Sequence, residues 1–255
     1  MSDQIRFGGK VAVVAITRHG IAMAGRIVSL LPGATLFAPE KFGVEAQAAA
    51  PGRCVCYAGK TGEQIPALFA AFDAIVAVVS LGAVVRLIAP YLGRKESDPA
   101  VVVVDEAGKF AIPVLSGHLG GANALAGRIA SGIGAKPVLT TASDSQQTLA
   151  VDLLGREHGW TIEASHDELV RVSAAVVNDD PVALIQEAGE ADWWTSHANG
   201  RQGPLPANLH RYARIEDVDI ENYAGVLWIS RRAMPAGYAG RLAGKCVVYR
   251  PRGEA

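Results

Sequence analysis

Six consecutive residues, Ser116-Gly117-His118-Leu119-Gly120-Gly121, put a hydroxyl, an imidazole and three glycines into one short stretch, and Asn123 adds a carboxamide just beyond it. Imidazole is the side chain whose ordinary titration falls near neutrality, so His118 is the candidate general acid–base group. A plain loop hydrogen bond is its structural alternative. Ser116 does not centre a Gly-x-Ser-x-Gly elbow, because Val114 and His118 hold the two glycine positions. It is therefore read either as a nucleophile or as a turn or ligand hydrogen-bonding group. Gly117, Gly120 and Gly121 let the backbone come close to a ligand, and free N–H groups at the start of a following helix favour an anion. Their spacing is neither Gly-x-Gly-x-x-Gly nor a phosphate loop with its lysine, and tight packing of loop on sheet explains them as well.

Further polar residues follow apolar runs. Thr17-Arg18-His19-Gly20 comes straight after the apolar run 11–16, where charge is costly unless it meets a ligand or a partner. Arg86 lies within Val84-Val85-Arg86-Leu87-Ile88. It reads either as a snorkelling surface arginine or as a carboxylate clamp with five donors. Asp105-Glu106 reads as a turn or as a carboxylate pair, and Asp144 as a helix cap or a catalytic acid. Trp193-Trp194 is read as packing. Cys54-Val55-Cys56 places two thiols on one face of a strand, so structural cysteines are expected and a bound metal is not.

The elements that must position these groups are legible from periodicity. The stretches 10–16, 73–79 and 100–104 carry continuous apolar runs, preceded in the first two by Lys10 and Asp73, which indicates strands buried on both faces. Helical spacing is expected over 21–31, 61–72, 80–89 and 122–131, with short strands at 34–38, 53–57 and 136–141. Asp105 to Gly108 reads as a turn that returns through Phe110 to Val114, a hairpin. Alternation of strands and helices predicts an α/β fold: a mostly parallel wound sheet with helices on both faces. Ligands sit outside the carboxyl ends of such strands. Residues 17–19, Ser80, 116–118 and 140–144 are accordingly expected on one shared rim.

Beyond Asp144 the pattern changes to helices over 149–157 and 167–178, the second capped by His166 or Asp167, and strands over 181–186, 225–230 and 245–249. A polar stretch, 196–206, is expected to be exposed. Residues 1–143 are thus read as one domain and 144–255 as a second, smaller α/β domain.

The 255 residues are 50% hydrophobic, enough to bury a substantial core, and the formal net charge is −1. That balance argues against a surface dedicated to nucleic acid or anionic membrane. The apolar run 74–85 falls short of the roughly 20 residues that a membrane helix needs. The first residues lack a signal-peptide core, and three cysteines, two nearly adjacent, do not make a disulfide framework. A reduced cytoplasm is the expected setting.

Taken as a set, Val84-Val-Arg-Leu-Ile-Ala-Pro90, Lys95-Glu-Ser-Asp-Pro-Ala-Val101, Val104-Asp-Glu-Ala-Gly108, Leu115-Ser-Gly-His-Leu-Gly-Gly-Ala-Asn123 and Pro137-Val-Leu-Thr-Thr-Ala-Ser-Asp144 resemble the N-terminal region of the cobalt-precorrin-5A hydrolase family, the CbiG family of anaerobic cobalamin biosynthesis. Residues 17–20 look like that family too, and the stretch after Asp144 is similar to its middle region. Ser80-Leu81-Gly82-Ala83 and Ser143 depart from the family's usual pattern, and the family's C-terminal domain is not found in the sequence. The resemblance implies a hydrolase that opens the ring A δ-lactone of a cobalt-bearing tetrapyrrole and releases acetaldehyde. Cobalt would arrive within the substrate, with no other cofactor or protein-bound metal. The implied catalytic groups are His118, Ser116 and Asp144. The implied substrate contacts are Arg18, His19, Gly20, Arg86, Gly117, Gly120, Gly121 and Asn123. Implied partners are a separate C-terminal-domain protein or other cobalamin-pathway enzymes. A non-catalytic corrinoid carrier is the second reading, and a nucleotide-dependent enzyme the third.

Overall fold

Val11–Ala15, Ala74–Val78 and Ala100–Val104 are buried along their whole length, a state a strand reaches only when elements cover both of its faces. A computed structural model describes residues 9–93, 97–194 and 204–253. The chain divides between Leu139 and Thr140 into two compact units.

The first unit runs β1 (Val11–Ala15), α1 (Arg18–Leu30), β2 (Thr35–Pro39), α2 (Gly43–Ala49), β3 (Cys54–Tyr57), α3 (Ile65–Ala71), β4 (Ala74–Val78), α4 (Leu81–Ile88), β5 (Ala100–Val104), β6 (Phe110–Leu115), α5 (Ala122–Ile133) and β7 (Lys136–Pro137). Its sheet has the order β3-β2-β1-β4-β5-β6-β7. Successive residues of a strand point to opposite faces, so Val11, Val13 and Ala15 pack with Ile21, Ala24, Ile27 and Leu125 under α1, α2 and α5. Ala12 and Val14 pack with Ile65, Leu68, Val84 and Ile88 under α3 and α4.

Every pairing in this sheet is parallel except one. The exception is the expected hairpin, β5 with β6, aligned Val104 to Ala111 and Val101 to Leu115. The Asp105 carboxylate closes the turn by accepting from the Lys109 and Phe110 N–H groups at 2.8 and 2.6 Å. Gly108, at φ +65°, supplies the left-handed residue.

The second unit contains α6 (Ala142–Ser145), β8 (Thr161–Glu163), α7 (His166–Val177), β9 (Val182–Gln186), β10 (Leu209–Tyr212), β11 (Gly225–Ile229), α8 (Ala239–Leu242) and β12 (Cys246–Arg250). Its order is β10-β9-β11-β12-β8, parallel except for edge strand β8. Helix α7 covers one face through Val172, Ala175 and Val176, which join Leu184, Leu227 and Tyr249. Trp193 is buried in the same cluster, with Trp194 edge-on to it at 5.9 Å. Tyr249 is fully buried, and burial pushes its phenol well above the ordinary range while its hydroxyl donates to the Val151 carbonyl at 2.7 Å.

Several local expectations are corrected. Residues 149–157 form two short 3-10 turns, Val151–Leu153 and Arg156–His158, instead of a helix. Gly155 and Gly159, at φ 73° and 70°, bracket the second turn and stop propagation. The strand expected over 136–141 is only Lys136–Pro137. Strands β8 and β10 were not expected at all. The polar stretch 196–206 lies outside the described residues up to 203. Among the described residues no helix is long and apolar enough to cross a membrane.

The cap of α7 is Ser165, not His166 or Asp167. Its hydroxyl accepts from the Glu168 N–H, and Glu168 reaches back to the Ser165 N–H at 2.8 Å, a capping box. That backbone bond first, then the Ser165 hydroxyl, holds the Glu168 carboxyl below the usual range. Ser165→Ala is expected to cost about 1 kcal/mol in urea denaturation. A depressed carboxyl stabilises the fold above its unfolded pKa. The deficit of Glu168→Gln at neutral pH should therefore shrink as pH falls below about 4.3. A deficit that is constant with pH would remove the carboxylate from the cap.

Candidate functional site

Strand direction decides which polar loops meet. In the first unit Val11 aligns with Ala74, and Ala74 with Ala100, at the amino edge of the parallel strands; Ala15 aligns with Val78 at the carboxyl edge. Because β6 runs the other way, Leu115 ends beside Val101, near the amino edge. The Ser116–Gly121 loop therefore leaves from the edge opposite to that of Thr17-Arg18-His19. The Ser116 hydroxyl confirms this placement by donating at 2.9 Å to the carbonyl of Asp98, a residue that precedes β5. A five-residue strand spans about 17 Å, so the two loops leave the sheet roughly that far apart. The expected shared rim does not exist. The hairpin that the sequence also predicts excludes it.

The carboxyl edge collects Arg18, His19, Gly20 and Arg86, half of the expected binding residues. From β1 the chain passes by α1 to β2 on one side; from β4 it passes by α4 to β5 on the other, across the opposite face. Outside the ends of β1 and β4 lies the crevice where wound sheets take ligands. Thr17 caps α1 by accepting from the Gly20 N–H at 3.0 Å, and its hydroxyl donates to the Glu106 carboxylate. A Cβ on Gly20 would sit 3.0 Å from the Thr17 hydroxyl and 3.2 Å from the Val78 carbonyl, so a side chain there would crowd the helix start against β4.

Arg18 and His19 occupy the first turn of α1, both exposed. The Arg18 Nε lies 3.1 Å from Glu45 Oε1, with 72% of the arginine side chain exposed. Such exposed pairs are worth about 0–1 kcal/mol, so a ligand carboxylate can replace Glu45 at little cost. At the amino end of α4, Ser80 makes no side-chain cap bond, and neither α1 nor α4 has an acidic residue in its first turn. Arg86 folds back along α4, donating from Nη1 to the Gly82 carbonyl at 2.8 Å. Two guanidinium groups, an imidazole and two helix amino ends with their partial positive charge thus lie along one edge. This arrangement suits carboxylates.

The opposite edge is built differently. Ser116 adopts φ 54°, a left-handed conformation uncommon outside glycine. The N–H groups of Gly121, Ala122 and Asn123 donate to the carbonyls of His118, Ser116 and Gly117 at 2.9, 3.1 and 2.9 Å. These three donors at the start of α5 are therefore spent in winding the loop onto the helix. His118 and Asn123 are half-buried.

Asp144 belongs to the second unit, in the first turn of α6, where the Thr141 hydroxyl bonds to it. The Asp105-Glu106 pair is split, since Asp105 closes the hairpin turn and Glu106 meets Thr17. Cys54 and Cys56 are free thiols; burial, then Cys56, pushes the Cys54 thiol up. Among the described residues no three His, Cys, Asp or Glu side chains gather as a metal site.

Sequence reasoning missed the corresponding edge of the second unit. There Glu187 and Ser230 follow β9 and β11, and Arg231 and Arg232 come next. Polar residues placed directly after the apolar runs 181–186 and 225–230 were the available signal.

Comparison with known proteins gives a consistent result. The family model described as Cobalamin synthesis G N-terminal matches residues 63–144, and that described as Cobalamin biosynthesis central region matches residues 149–251. A cobalt-precorrin-5A hydrolase of Priestia megaterium is 38% identical over 244 residues, covering 96% of this chain and 63% of that one. The protein of the same name from Salmonella typhimurium is 34% identical over 184 residues, covering 72% and 48%. The chain thus spans about half to just under two thirds of the relatives it matches. The crystal structure of a cobalamin biosynthesis protein G homolog from Sulfolobus solfataricus aligns with TM-score 0.47 and 20% identity, over 95% of this chain and 60% of that one.

The wound loop gives a stability test. A Cβ on Gly120 would lie 2.3 Å from the Ser116 Cβ and 2.8 Å from its carbonyl oxygen, both fixed by the strained backbone. Gly120→Ala is expected to destabilise the fold by about 1–3 kcal/mol in chemical denaturation, whereas Gly127→Ala, which meets nothing within 4 Å, should not. Equal stability of the two variants would contradict the loop geometry.

Proposed function

The chain belongs to the cobalamin synthesis G (CbiG) family, whose N-terminal and central regions it carries, and we propose that it acts as a cobalt-precorrin-5A hydrolase. The observation that carries the proposal is 38% identity, over 96% of the chain, to an enzyme of that name. In this reading the ring A δ-lactone of the cobalt-bearing macrocycle is opened by water, and the extruded two-carbon fragment leaves as acetaldehyde. The cobalt belongs to the substrate. The protein works in the cytoplasm, receiving its substrate from and passing its product to other cobalamin-pathway enzymes.

The chemistry of such a macrocycle favours the carboxyl edge of β1 and β4. Its acetate and propionate side chains need cationic partners, and Arg18, Arg86 and the amino ends of α1 and α4 offer them. His19 is the imidazole on that edge, so it, and not His118, takes or gives the proton as water attacks the lactone carbonyl. A macrocycle held at Arg18 and Arg86 leaves the Ser116–Gly121 loop out of reach, on the far edge of the sheet.

Acetaldehyde release from the lactone intermediate tests this. His19→Ala is expected to lower kcat at least about 100-fold, the usual scale of a lost general acid–base group, while His118→Ala should stay within about threefold. Arg86→Ala should raise KM about tenfold, as one lost charge-assisted bond does. A large loss in His118→Ala with His19→Ala intact would move the reaction to the other edge. No acetaldehyde from any form would remove the hydrolase reading.

A further inference from the structure

In the second unit the order of strands reverses between β9 and β11, since β10 lies on one side of that pair and β12 on the other. A cavity of about 370 Å³ opens there, lined by Glu187, Arg214, Ser230, Arg231 and Arg232 together with two alanines. That is the size of small-molecule sites and the place where wound sheets take ligands. Its lining carries three guanidinium groups and a single carboxylate. We infer that this cavity is a binding site for a small molecule bearing carboxylates.

The carboxylate of Glu187 serves the construction of the site. Its side chain is 9% exposed and fully engaged: Oε1 accepts from the Ile215 N–H at 3.0 Å, and Oε2 accepts from the Ser230 hydroxyl at 2.7 Å and pairs with Arg232 Nε at 3.2 Å. These bonds tie the ends of β9 and β11 together and aim Arg232, whose Nη2 also meets Glu216 at 2.8 Å. The 230–232 loop is braced from behind. Arg250 donates to the carbonyls of Ser230 and Arg232 at 2.9 and 2.5 Å, and Arg231 donates to the Arg252 carbonyl at 3.1 and 2.7 Å. A loop held in this way keeps its guanidinium groups in place before a ligand arrives, which lowers the ordering cost of binding.

Arg214 is the adaptable member. Its side chain is 66% exposed, and its contact with Glu216, at 3.8 Å, is long. An exposed pair of that kind contributes little, so Arg214 can swing to a carboxylate and complete a fork of arginines. The identity of the molecule rests on the proposed function: the carboxylates are those of the tetrapyrrole or those of a free organic acid. Binding itself does not depend on that reading.

The test is calorimetric titration of the full chain with two probes, citrate and uroporphyrin, at ionic strength held constant with sodium chloride. Citrate should bind saturably, and Arg214→Ala/Arg231→Ala should weaken it at least tenfold. Arg214→Ala alone, at an exposed position, should weaken citrate at least threefold and serves if the double variant is unstable. Loss of uroporphyrin binding in the same variants assigns the site to the macrocycle. Loss of citrate alone assigns it to a free acid. Citrate heat no greater than that of chloride, or equal binding by wild type and Arg214→Ala, overturns the site. No acetaldehyde enters this readout, so failure of the hydrolase reading and failure of the cavity are seen separately.

Discussion

One turn determines where the polar loops of the first unit end up. The Asp105 carboxylate gathers the N–H groups of Lys109 and Phe110, and Gly108 turns the chain back on itself. The returning strand β6 is consequently the one antiparallel member of the central run of the sheet. Everything that follows it, Ser116 to Asn123 and then α5, starts from the amino edge of β1, β4 and β5. The same turn sits beside α1, because Glu106 takes the Thr17 hydroxyl that also caps that helix. The hairpin turn thus orders the edge on which Arg18 and His19 lie while carrying His118 away from it.

The two units share a constructional logic. In each, parallel buried strands reverse their order at a central pair, β1 with β4 and β9 with β11, and each places arginines just beyond that pair. The electrostatic detail differs. On the first unit's edge the cations are exposed and lightly held, Arg18 by Glu45 and Arg86 by a helix carbonyl. In the second unit a nearly buried glutamate and two backbone braces hold them. Loosely held cations exchange partners easily; braced ones select a shape. Both suit a ligand with several carboxylates.

Much of the fold is legible because continuous apolar runs leave few options. Residues 11–15, 74–78 and 100–104 are short, mostly β-branched apolar runs that read as strands covered on both faces, and the spacing of Ile21, Ala24, Ile27 and Val28 reads as one face of a helix. The candidate site residues are legible as types but not in their grouping. A hairpin at Asp105 and a shared rim for Arg18 and His118 both follow from local patterns, yet they exclude each other, and only strand direction decides between them. Residues 149–157 show the converse failure. Leu149, Leu153 and Leu154 imitate helical spacing, but Gly155 and Gly159 in the left-handed region break the run into short turns. The edge strands β8 and β10 escaped because Thr161-Ile-Glu163 and Leu209-His-Arg-Tyr212 are too short and too polar to stand out.

Amide hydrogen exchange on the full chain, with and without a cobalt-bearing tetrapyrrole lactone, tests most directly the proposal that the β1 and β4 edge holds such a macrocycle. Protection should appear in peptides covering residues 16–22 and 79–86, with residues 116–123 unchanged. Protection confined to residues 116–123 would place the macrocycle on the far edge of the sheet and contradict the assignment.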